Sequence, residues 1–133
     1  HAHLDLQLAV TGSVAFGGEV ARDASEGVRC ASLVDEGTVW TVPFPTTPSA
    51  VDGHFFFGQG ALLAADNTGA GTYAASLLDN LQLGVDDLPL FTPGGGSVTL
   101  DSSGGGSMTL TGFDNGSAAV NLSASWACED VAN

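Results

Sequence analysis

Between residues 97 and 128 the chain alternates apolar and polar positions in three runs, SVTLD, MTLTG and AAVNLSASWAC, separated by the breaks SSGGGS and FDNGS. Period-two runs bounded by Gly, Ser and Asn predict an antiparallel meander. Val98, Leu100, Met108, Leu110, Ala118, Val120, Leu122, Ala124, Trp126 and Cys128 keep one phase. Successive strand side chains point to opposite faces, so these residues are expected to share a buried face. Thr99, Thr109, Asn121, Ser123 and Ser125 then face outward. The last strand is expected to carry Trp126 and Cys128 into the core.

Upstream, Leu4, Leu6, Leu8 and Val10 alternate with Asp5, Gln7 and Ala9, which predicts a half-buried strand. Gly12 is expected to kink it, Val14 and Phe16 to continue its phase, and Gly17-Gly18 to break it. A second strand is predicted through Val28, Cys30 and Ser32 and a third over residues 38–42, with Asp35-Glu36-Gly37 as the turn between them. Three of the five prolines then fall within six residues, Pro43 to Pro48, so PFPTTPSAVDG reads as an extended loop. The apolar run HFFFGQGALLA, residues 54–64, reads as a central strand bulged at Gly58 and Gly60, because two close glycines are costly inside a helix. Asp66-Asn67-Thr68-Gly69 is a turn, Gly71 to Tyr73 opens another strand, and residues 73–83 are the one place where a helical turn is plausible. Eight to ten short strands with nineteen glycines predict one all-β domain over residues 1–133, an antiparallel β-sandwich or a closed barrel.

Composition narrows what such a domain meets. Fifteen acids face only Arg22 and Arg29, with no lysine, for a net charge of −13. Phosphate contact needs Lys or Arg to displace counterions, so nucleic acid and anionic membrane are excluded as expected partners. Solubility, salt tolerance or divalent cations are favoured instead, and a solvated acidic surface from a GC-rich or salt-adapted source accounts for the imbalance. No apolar run is long enough to span a membrane, and a chain beginning at His1 without an initiator Met is expected to have been processed or trimmed. Cys30 and Cys128 are the only cysteines, sit in apolar patterns and belong to no CxxC or Cys/His cluster. One disulfide between them is preferred over two buried thiols, and it implies an oxidising, extracytoplasmic compartment.

Two resemblances follow from particular residues. GAGTY at residues 69–73, GGSVTLDSSGGGSMTLTG and the terminal SASWAC resemble small secreted or lipid-anchored actinobacterial β-sandwiches of the mycobacterial 19-kilodalton antigen kind. That likeness covers roughly the second half of the chain and implies a cell-surface or secreted protein without catalysis, in which an early cysteine pairs with a C-terminal one. The lipidated N-terminal cysteine of that group has no counterpart here. His1 with Asp52-Gly53-His54 is similar to the copper site of the periplasmic CopC-type sandwiches, which implies His1, Asp52 and His54 as ligands. Here the D-x-H pair lies mid-chain instead of before the last strand. The order Cys30, Trp40, Cys128 evokes an immunoglobulin domain, but the cysteine spacing is too long and Trp126 stands where that fold places tyrosine.

Candidate chemistry is sparse. No GxSxG, HExxH, P-loop or dinucleotide fingerprint is present, and no catalytic residues are assigned. An N-terminal histidine offers an α-amine and an imidazole to Cu(II), and His3 offers an alternative square-planar grip. If residues 1–3 are strand, His1, His3 and Asp5 share one face. A solvated terminus, with His54 capping a strand, is the plainer reading. Calcium is a lesser candidate at Asp66/Asn67, Asp86/Asp87 and Asp114/Asn115. Asn115-Gly116 suggests a type I′ turn, while Asn115-Gly-Ser117 and Asn121-Leu-Ser123 fit the glycosylation sequon. Finally, residues 4–16 form a terminal strand that could pair within its own domain or insert into a neighbour through Leu4, Leu6, Leu8 and Val10. The expected function is therefore a secreted, non-catalytic surface or structural protein acting by binding or self-assembly, its partner a second copy, another surface protein or a glycan. Copper binding is the alternative.

Overall fold

Leu4, Leu6, Leu8 and Val10 are buried and Asp5, Gln7 and Ala9 exposed along β1 (Ala2–Gly12), the alternation a one-sided strand requires. The computed structural model describes residues 1–132, in ten strands. β2 (Phe16–Asp23), β1, β10 (Ala119–Asp130), β9 (Gly106–Asp114), β8 (Gly95–Leu100) and β6 (Gly71–Ala74) form one antiparallel sheet in that order. The second sheet centres on β5 (His54–Leu62). β7 (Leu78–Val85) pairs along one edge of β5, and β3 (Trp40–Thr41) and β4 (Ser49–Val51) share the other. The architecture is an open two-sheet sandwich, not a closed barrel.

The chain between β3 and β4 stays beside β5 through two further bonds, Val42 N to Gly60 O at 3.0 Å and Gly58 N to Pro45 O at 2.9 Å. Proline cannot donate to a ladder, so Pro43, Pro45 and Pro48 reduce what would be one edge strand to two short pieces. The core lies between the sheets, with Phe44, Phe56, Phe91 and Phe113 fully buried among Leu6, Leu62, Leu83, Leu110 and Leu122. Phe44 and Phe16 both meet Phe56 edge-on. Cys30 and Cys128 form a disulfide, joining positions 98 residues apart.

Several local expectations are corrected. Gly12 does not kink a continuing strand: it ends β1 at φ +108°, where a Cβ would stand 2.6 Å from Ala119 O, and the chain reverses into β2. Gly17 and Gly18 lie inside β2 instead of breaking it. Val28, Cys30 and Ser32 form no strand. Val28 N bonds Ser25 O in a turn, and Cys30–Val34 is a 3-10 helix. Residues 73–83, by contrast, do hold a helical turn as expected, the 3-10 turn over Ala75–Leu77, set between the end of β6 and β7. Asn115-Gly116 is not a type I′ turn, because only Gly116 has positive φ and Asn115 N bonds Ala118 O across a longer loop.

The β5–β7 ladder slips beside Gly60, but the extra residue lies in β7 and not in β5. Gly60 alone separates Gln59 from Ala61, whereas Asn80 and Leu81 separate their partners Asp79 and Gln82, and Gly58 pairs regularly with Leu83. No helix among the described residues is long and apolar enough to cross a membrane.

Candidate functional site

Where β1, β2, β3 and β10 approach the 3-10 helix, the sheets part around a cleft of about 360 Å³. Buried Leu4, Trp40 and Trp126 form its inner end. The two indoles are stacked, their centroids 5.9 Å apart. Val28, Leu33 and Pro43 line the sides, and Val39, 57% exposed, stands at the mouth. Each arrives by a sequence rule. Leu4 and Trp126 occupy inward positions of paired strands, in register with Arg22 and Leu6 respectively. Trp40 enters from β3, and the 3-10 helix turns Leu33 toward the gap.

That helix is fastened from two directions. The disulfide ties Cys30 to β10, and Cys30 N donates to Asp130 Oδ1 at 2.8 Å. Ser32 Oγ closes the turn by donating to Arg29 O. The cleft wall is thus fixed to β10, the longest strand of the large sheet.

Arg22 supplies the cleft's only charge. It follows Phe16, Gly18 and Val20 on the inward face of β2, because side chains two apart share a face. Its Nη1 donates to Val42 O at 3.2 Å and Phe44 O at 3.0 Å, carbonyls of the proline-broken edge opposite. Among the described residues no carboxylate pairs with Arg22, whereas Arg29 pairs with Asp130 at 3.5 Å. The lining contains no histidine, carboxylate or thiol. Neither Arg22 nor Val39 stood out in the sequence. The signal for Arg22 was there, as the fourth member of an i, i+2 series behind two glycines.

The histidines divide between two places. His3 donates from Nδ1 to Asp23 Oδ1 at 2.6 Å and from Nε2 to Asp5 Oδ1 at 3.2 Å. An imidazole donates from both nitrogens only when protonated. The Asp23 hydrogen bond above all, aided by Asp5 and opposed by partial desolvation, holds the His3 pKa above its ordinary value. His1 Nε2 lies 3.4 Å from the same Asp23 oxygen, while its α-ammonium donates to Val131 O at 2.7 Å.

His54 stacks on Phe16, 4.8 Å between ring centroids, and donates from Nδ1 to Asp86 Oδ2 at 2.8 Å. Asp86 also accepts from Phe55 N at 2.9 Å. The His54 bond first, then the Phe55 amide, lowers the Asp86 pKa below its ordinary value. Asp52 accepts only a long bond, 3.5 Å, from Gly17 N.

Phe16 and Asp23 are the two ends of β2. Seven residues at ~3.3 Å each separate them by about 23 Å, so the structure does not bring His1 together with Asp52 and His54. The CopC-like ligand set is dispersed. Among the described residues no group of three or more His, Cys, Asp or Glu side chains is gathered to hold a metal ion.

Four of the candidate calcium residues, Asn67, Asp86, Asp114 and Asn115, have local duties. Asn67, 2% exposed, donates to Asp35 O and Thr38 O and accepts from Gly69 N, pinning the turn after β5 to the segment before β3. Asp114 accepts from Gly116 N. The sequon residue Asn115 is similarly engaged, accepting from Ser117 N and Ala118 N and donating to Pro89 O. β1 pairs with β10 on one edge and β2 on the other, so the proposed assembly residues Leu4, Leu6, Leu8 and Val10 complete their own domain. Comparisons with protein-family models, curated proteins and solved structures found no match to this chain.

Proposed function

We propose that this chain is a secreted, non-catalytic binding protein that takes a small, largely apolar ligand into the cleft beside Trp40 and Trp126. The observation that carries this reading is the cleft itself. It is concave, apolar and walled by a disulfide-anchored turn, and its volume lies within the range of about 300–1,000 Å³ usual for ligand pockets. Its lining holds no histidine, carboxylate or thiol to act as general base for the hydroxyls of Ser32, Thr38 or Thr41, which supports binding over turnover. The disulfide supports an oxidising compartment. Strand-exchange assembly has less support, because β1 has no free edge to donate.

Titrating the neutral probe 2-naphthamide into the oxidised protein is expected to shift the indole N–H resonances of both tryptophans. Val39→Glu, which places a charge at the exposed mouth, is expected to weaken that binding. Indole resonances unmoved at millimolar probe would refute the reading. Light scattering is expected to report a monomer, and a polymer would restore self-assembly as the preferred function.

A second reading, copper binding, is favoured by one feature, the approach of His1 and His3 to the same Asp23 oxygen. Cu(II) would replace the His3–Asp23 hydrogen bond and draw in His1, leaving Asp52 and His54 uninvolved. One equivalent of Cu(II) retained by the wild type and lost in His3→Gln would support it. Equal retention by both proteins would exclude it.

A further inference from the structure

We infer that the ligand of the cleft is an amphiphilic acid, an aromatic or acyl body carrying one carboxylate, with the carboxylate held by Arg22. This rests on the cleft being a binding site and names what that site selects. The argument is one of charge complementarity. In a chain with fifteen acids and two arginines, the thirteen cleft-lining residues include one arginine and no acid. Arg29 is paired with a carboxylate and Arg22 is not. The acidic surface therefore leaves one local site where an anion meets a cation without a competing side chain.

The guanidinium is also held ready. Guanidinium has five N–H donors in a rigid fork. Nη1 is committed to Val42 O and Phe44 O, which fixes the plane, and Nε and Nη2 have no partner among the described residues. Those two nitrogens form the edge that engages a carboxylate through two parallel hydrogen bonds. The apolar remainder of such a ligand would lie toward Leu33, Val39 and the indoles. Arg22 has an ordinary duty as well, since an inward-pointing charge on an edge strand discourages edge-to-edge pairing. That duty predicts no discrimination between ligands, and this is where the two accounts separate.

The experiment compares 2-naphthoate with 2-naphthamide, which share a body and differ in charge, on wild-type protein and Arg22→Gln at pH 7 by calorimetry. Hydrogen bonds to a charged group are worth enough to give about tenfold or more in affinity. The wild type is expected to bind the acid at least tenfold more tightly than the amide. Arg22→Gln is expected to bind acid and amide alike, a ratio that does not depend on how far the substitution changes the affinity of the cleft as a whole. Because Arg22 pins two backbone carbonyls, the wild-type comparison stands as a test by itself if the variant fails to fold. Equal binding of acid and amide by the wild type would overturn the inference and leave the cleft reading in place. Failure of both probes to bind would overturn the cleft reading and the inference together.

Discussion

Removing the disulfide as Cys30→Ala/Cys128→Ala tests how this sandwich keeps its cleft wall in place. The bond spans 98 residues, most of the chain. A cross-link of that span removes loop-closure freedom from the unfolded chain worth about 4.7 kcal/mol. The native contacts around it survive the substitution, because the ladder of β1 with β10 and the Cys30 N–Asp130 bond do not depend on sulfur. A 133-residue chain unfolds with an entropy of roughly 0.28 kcal/mol/K, so the loss corresponds to a fall in Tm of about 17 °C. Urea unfolding followed by tryptophan emission is the assay. The midpoint should drop, and the slope m should rise because the uncrosslinked unfolded chain exposes more surface. A loss below about 2 kcal/mol with m unchanged would refute the reasoning, since the bond would then be acting on neither the unfolded chain nor the wall.

Three further outcomes follow from single sites. Gly96→Ala should cost about 2–4 kcal/mol in urea unfolding, because Gly96 has φ +118° and a Cβ there would sit 2.0 Å from Thr109 O. Gly95→Ala, whose Cβ would meet nothing closer than 3.5 Å, should stay within about 1 kcal/mol of wild type. Equal costs would contradict the register of β8 on β9. With its pKa raised in the folded state, His3 contributes stability that is complete below its unfolded value and is lost as pH climbs through the folded one. Thermal melts from pH 5.5 to 8.5 should therefore show a decline that His3→Gln abolishes. Asp86 has the opposite sign, its pKa being lowered, so its contribution is present above the unfolded value and lost as pH falls through the folded one. Melts between pH 5 and 2 should show Asp86→Asn losing less stability than wild type across that interval.

How much was legible depended on whether a local pattern had one physical explanation. The alternation in β1 and β10 spans many residues and admits only a strand, whereas the paired glycines in β5 pointed to the right place in the ladder but the wrong strand, since the bulged residues are Asn80 and Leu81 of β7 opposite Gly60. Val28, Cys30 and Ser32 gave only three points at spacing two, too few to separate a strand from a turn with a 3-10 helix. In β7 the buried positions run Leu78, Leu81, Leu83 and Val85. The irregular first step arises at Asn80, whose φ of +52° accompanies one extra residue in β7 opposite Gly60 of β5. That single bulge destroyed the period-two signal and left the segment looking partly helical. The dispersal of His1 from Asp52 and His54 was hidden for a different reason. D-x-H is a proximity along the chain, and nothing in sequence says that β2 would hold its neighbours at opposite ends.

The cleft itself follows from a gradation of side-chain size over the last three inward positions of β2, Gly18, Val20 and Arg22. At Gly18 the large sheet comes so near the small one that a Cβ would meet Val51 Cγ1 at 2.9 Å. Val20 is next and half-buried, and Arg22, two positions on, is the largest. Larger inward groups hold the sheets farther apart, so beyond Phe16 the sandwich is pinched at Gly18 and wedged open at Arg22. Opposite the wedge, the prolines keep β3 and β4 from forming one edge strand, which leaves the Val42 and Phe44 carbonyls facing Arg22 instead of a partner strand. The disulfide then fixes the 3-10 helix across the remaining side. The same arginine thereby props the gap open, satisfies the broken edge and presents its unused N–H groups to the space it creates, and this links the fold of this chain to the ligand proposed for it.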